Sequence, residues 1–63
     1  MMYGWSETFS GYERREDGIT ALVYSHKGTW TVSVSTREKK LFHEEGLSQD
    51  EAFLKADEYF DDF

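Results

Sequence analysis

Between Ile19 and Ser35, apolar and polar residues alternate on either side of Lys27-Gly28, the pattern of a hairpin with one buried face. A turn centred on Lys27-Gly28 sets Val23 opposite Val32, Ala21 opposite Val34 and Ser25 opposite Trp30, so the apolar members share a side. Thr31, Ser33 and Ser35 are then expected to face water. Asp17-Gly18 predicts a second two-residue turn, since Gly and Asp tolerate the positive φ angles such turns need. A strand from about Thr8 to Arg15 precedes it and places Tyr12 beside Val23, while Trp5 and Phe9 are expected to fold over the sheet edge. Beyond the polar run Thr36 to Lys39 comes a short strand around Lys40 to Glu44. Either Leu41 or Phe42 turns inward there, depending on the loop length.

Gly46-Leu47-Ser48 ends the sheet. Ser48 with Glu51 forms a capping box, and Leu47 with Ala52 the accompanying hydrophobic staple. From Gln49 onward Ala52, Phe53, Ala56, Tyr59, Phe60 and Phe63 fall within one helical stripe about 120° wide. The expected fold is therefore α+β: a three- or four-stranded antiparallel β-meander, then one C-terminal amphipathic α-helix packed on one sheet face. The chain reads as a single domain, residues 1–63.

Composition sharpens this picture. A chain of 63 residues buries only about 60% of the surface its unfolded form exposes, and with no cysteine it has no disulfide to help. Two Trp, four Tyr and five Phe supply the apolar area instead. The lack of cysteine, of a charged-then-apolar leader and of a long apolar run predicts a cytoplasmic protein with no membrane span.

Charge is the most informative feature. Residues 1–43 carry six Lys or Arg against five Asp or Glu, and residues 44–63 carry one against eight, within a net charge of −6. On the helical wheel Asp50, Glu51, Asp57, Glu58, Asp61 and Asp62 lie opposite the apolar stripe, with Lys55 the only base among them. Carboxylates in the last turns oppose the helix dipole, so stability alone would place lysine there. A row of them imitates spaced phosphates and suits a basic groove made for DNA or RNA. Leu54, at the centre of this face, is the candidate anchor. The expected partner is thus a protein with a basic nucleic-acid-binding groove, contacted through Asp50, Leu54, Asp57, Glu58, Asp61 and Asp62; like charges argue against direct nucleic-acid binding. Leu22 and Tyr24, on the outer sheet face, are the candidate contact of a homodimer, which is the alternative reading.

No Gly-rich phosphate loop, nucleophile motif or metal-ligand spacing occurs, and His26 and His43 read as surface or packing residues. The chain is expected to be no enzyme and to use no cofactor. Arg14, Arg15, Lys27, Arg37, Lys39 and Lys40 fall mostly near strand ends and turns, and a basic, aromatic sheet in a ββ(β)α unit would suit a DNA groove as a third reading; against it stand the total charge and the commoner use of sheet-edge lysine to block edge-to-edge aggregation.

The run Gly28-Thr29-Trp30-Thr31-Val32-Ser33-Val34, with Gly46-Leu47-Ser48, Glu51-Ala52 and Ala56-Asp57, resembles a pattern met in small phage and prophage proteins. The layout is similar to the arm-type DNA-binding domains of phage integrases, which are basic where this helix is acidic. In size, acidity and lack of catalytic residues the chain also resembles phage-encoded inhibitors such as anti-CRISPR proteins and uracil-DNA glycosylase inhibitors. The resemblance to phage-encoded inhibitors implies an inhibitor, which the acidic helix would serve as a mimic of nucleic acid.

Overall fold

The structure, a computed structural model, describes residues 4–60. Five antiparallel strands lie in sequential order: β1 (Ser6–Glu7), β2 (Gly11–Glu16), β3 (Ile19–His26), β4 (Thr29–Thr36) and β5 (Lys40–Leu47), followed by the helix α1 (Gln49–Asp57). The fold is α+β, with five strands rather than the expected three or four. The additional strand is β1, which pairs Ser6 with Glu13 and Glu7 with Tyr12.

Both predicted hairpin turns have the positive φ their sequences imply: Asp17 and Gly18 at 54° and 81°, Lys27 and Gly28 at 51° and 83°. Two positive φ values in succession give a turn whose twist matches that of the strands, which fixes the register on either side. Tyr12 accordingly pairs with Val23, Val23 with Val32, Ala21 with Val34 and Ser25 with Trp30.

One sheet face carries Tyr12, Arg14, Ala21, Val23, Val32 and Val34. Ala21, Val23, Val32 and Val34 are fully buried, in one cluster with Leu47, Ala52, Phe53, Ala56 and Phe60. Aromatic contacts extend it: Trp5 meets the Phe53 ring edge-on at 4.9 Å, Tyr12 lies 5.2 Å from Phe53, and Phe42 lies 5.7 Å from Tyr59. Edge-on and tilted geometries suit the ring quadrupoles, which face-to-face stacking would oppose.

Several expectations are corrected. The helix ends at Asp57 and continues as a turn through Phe60; Tyr59 is half-buried and Phe60 buried, while Phe63 lies outside the described residues. The choice between Leu41 and Phe42 does not arise. Val34 pairs with Phe42 and Ser35 with Lys40, so a bulge takes up Leu41 and both side chains reach the core. A second irregularity falls between Trp30 and Val32, opposite Gly46 with its φ of 74°. Thr31 does not face water but is 3% exposed, and Ser33 and Ser35 are half-buried. Trp5 turns onto Phe53, yet Phe9 covers no edge and stands fully exposed at the β1–β2 turn.

No helix among the described residues is long and apolar enough to cross a membrane.

Candidate interaction surface

The start of α1 is closed by the predicted capping box. The Glu51 amide donates to Ser48 Oγ and the Ser48 amide to Glu51 Oε1, each at 3.2 Å. The Glu51 carboxylate is thereby committed to the backbone, while Asp50 beside it is exposed in a first turn where the helix dipole favours an anion.

At the other end Asp57 is not a free surface charge. Its Oδ1 accepts hydrogen bonds from Trp5 Nε1 and Arg14 Nη1, both at 3.1 Å, and its side chain is 33% exposed. Arg14 also donates through Nη2 to Glu16 Oε1 at 3.2 Å, and its guanidinium carbon lies 4.4 Å from the centre of the Phe60 ring. Only 11% of the Arg14 side chain is exposed. The N-terminal segment closes over it at Gly4, where a Cβ would come within 3.2 Å of Arg14 Nε. That Nε is buried and has no hydrogen-bond partner among the described residues. Arg14 and Asp57 thus tie β2, the N-terminal segment and the end of the helix together, and Arg14 offsets the unfavourable position of Asp57 near the helix C-terminus.

The strand alternation contained a signal for Arg14. A register with Tyr12 beside Val23 also turns Arg14 inward, and an inward arginine requires a carboxylate.

Of the six residues expected to meet a partner, Asp50, Leu54 and Glu58 are exposed, one turn apart along the helix. Asp57 is drawn into the fold, and Asp61 and Asp62 lie outside the described residues. Leu54 is 66% exposed. On the neighbouring flank Lys55 reaches Glu44 at 3.5 Å, so the one basic residue of the helix is paired. Glu45 accepts from His43 Nε2 at 3.0 Å; this bond and the imidazolium charge hold its carboxyl below the ordinary value.

Leu22 and Tyr24 occupy the opposite sheet face, Leu22 paired with Glu13 and Ser33, Tyr24 with Gly11 and Thr31. Leu22 is 37% exposed and Tyr24 half-buried.

Among the described residues, concavities lie at the sheet ends. The first, about 640 Å³ and open, runs beside the Asp17-Gly18 turn and mixes Arg15 and Arg37 with Glu16 and Asp17. The second, about 220 Å³ and likewise open, lies beside Phe9, which was expected to cover the sheet edge and stands exposed instead. Among the described residues no three His, Cys, Asp or Glu side chains gather as a metal site would require. Comparison with protein-family models, with curated proteins and with solved structures finds no match.

Proposed function

We propose that this chain is a non-catalytic interaction protein that inhibits a nucleic-acid-binding complex, in the manner of small phage-encoded inhibitors acting in the host cytoplasm. Its α-helix is read as amphipathic, seated on one sheet face and offering carboxylates to a basic groove. The observation that carries this reading is Leu54, 66% exposed between Asp50 and Glu58. An apolar side chain flanked by anions is the arrangement of an interface anchor with a charged rim. Asp50 and Glu58 are eight positions apart, about 12 Å of helix axis, a length over which one DNA strand presents three to four phosphates. Asp57 serves the fold in this reading, and Asp61 and Asp62 extend the acidic run in sequence.

The test is retention of bacterial lysate proteins on the immobilised chain at low and high salt, followed by challenge with duplex DNA. A mimic retains a nucleic-acid-binding complex at low salt and releases it to salt or DNA, because exposed charges are screened and the DNA competes for the groove. Retention indifferent to both removes the proposal.

A second reading rests on Leu22. At 37% exposed, between Glu13 and Ser33, it gives the opposite sheet face an apolar centre through which two copies can pair with Tyr24. Such a homodimeric accessory module elutes at twice the monomer mass and is indifferent to neutralising Asp50 and Glu58.

A further inference from the structure

Glu7, Phe9, Tyr12 and Trp30 line an open concavity of about 220 Å³ at the corner of the sheet where the β1–β2 turn meets β3 and β4, and no basic residue lines it. The register explains the convergence. Glu7 pairs with Tyr12, Tyr12 with Val23 and Val23 with Val32; Trp30, two residues before Val32, stands on the same face.

The turn that carries Phe9 is held at three points. The Thr8 amide donates to the Gly11 carbonyl at 2.8 Å, the Gly11 amide to Thr8 Oγ1 at 3.1 Å, and the Ser25 amide to the Ser10 carbonyl at 3.3 Å. Gly11 is pressed so closely on β3 that a Cβ would fall 2.0 Å from the Val23 carbonyl oxygen. A fixed turn therefore keeps an aromatic ring fully exposed at the mouth of a concavity, where it adds nothing to the core.

We propose that this corner is a binding site for an organic cation of the alkylammonium class, with aromatic faces around its head group and Glu7 as counter-ion. The faces of aromatic rings carry the negative part of the quadrupole and attract a cation within about 6 Å of the ring centre. A carboxylate at the rim adds a full charge, and the net charge of −6 favours the approach of cations generally. The concavity is open on one side, so an alkylated ammonium enters without displacing any part of the core. A small hard metal ion is a poor occupant, because it needs several oxygen ligands and the lining brings one carboxylate. The site is independent of the acidic helix face, and neither proposal requires the other.

The test is an NMR titration of the whole chain, following the Trp30 indole N–H and the Gly11 amide, with the Trp5 indole, bonded to Asp57, as internal reference. Choline presents a free quaternary ammonium, Nα-acetyl-lysine N-methylamide a peptide-borne ammonium, and 3,3-dimethyl-1-butanol is the uncharged carbon isostere of choline. Saturable shifts at Trp30 and Gly11 with either cation, absent with the isostere and with sodium chloride, are the expected result. The tighter of the two cations identifies a free ligand or a protein side chain as the source. Both Glu7 and Phe9 are exposed, so Glu7→Gln and Phe9→Ala should keep the dispersed spectrum while each weakens binding roughly two- to fivefold. The proposal is overturned if neither cation gives saturable shifts, if the isostere shifts the same signals as strongly, or if both variants bind like wild type.

Discussion

The Arg14 guanidinium meets the Asp57 carboxylate at 3.1 Å across 43 positions of sequence, and the Trp5 indole donates to the same oxygen. It is a bond between the second strand and the end of the helix, so the acidic side of α1 divides by role: Asp57 holds the fold, while Asp50 and Glu58 remain exposed.

Asp57→Asn should therefore destabilise the protein by about 1–2 kcal/mol, since it leaves a largely buried guanidinium with a weaker partner. The partial exposure of Asp57 keeps the loss below that of a fully buried pair. Asp50→Asn, on an exposed first-turn residue, should change stability by less than about 0.5 kcal/mol. Urea unfolding of the two variants measures the difference.

Gly11→Ala should be far more severe. Its Cβ would lie 2.0 Å from the Val23 carbonyl oxygen and 2.6 Å from Tyr24 Cα, and both are backbone atoms that cannot rotate aside. A loss above about 3 kcal/mol, or failure to fold, is expected, as for other severe steric changes in a packed structure. Gly18→Ala meets no atom within 4 Å and should show only the cost of its positive φ, about 1 kcal/mol. Thermal melts of both variants make the comparison.

Ser48→Ala removes the acceptor for the Glu51 amide and should cost about 1 kcal/mol. The loss belongs to the helix start, so amide hydrogen exchange should quicken first at Glu51 and Ala52.

Glu45 gives a pH prediction. Its carboxyl is held below the ordinary value of 4.5, chiefly by the hydrogen bond to His43 and then by the imidazolium charge. A depressed carboxyl contributes stability that is fully present above its unfolded pKa and lost as pH falls through the lowered folded value. NMR titration should give a Glu45 midpoint below 4.5, moving up toward 4.5 in His43→Gln and in high salt.

The hairpin registers were legible because two turns with a positive φ at both central residues leave the alternation no freedom to slip. The capping box was legible for a similar reason, its residues being three apart in sequence. Leu41 and Phe42 show where that logic stops: a bulge adds one residue to a strand and brings both neighbours to the core, which a strict period of two cannot represent. Thr31 was misread by the same alternation, because lying on the face opposite the buried cluster did not mean exposure once Tyr24 and the irregular stretch of β5 flanked it. Within the candidate site, Asp57 looked free because helical periodicity knows nothing of β2; its partner is set by tertiary contact. Phe9 was expected over the sheet edge because it is aromatic; the hydrogen bonds of its turn, invisible to alternation, hold that ring in water instead.

The division of roles along the helix is tested most directly by comparing the lysate proteins retained by wild type with those retained by the triple variant Asp50→Asn, Leu54→Ser, Glu58→Gln. The account predicts that the variant unfolds in urea within about 1 kcal/mol of wild type, as surface substitutions do, yet loses the nucleic-acid-binding complex that wild type retains. Equal retention by the two proteins, or no such complex with either, would contradict it.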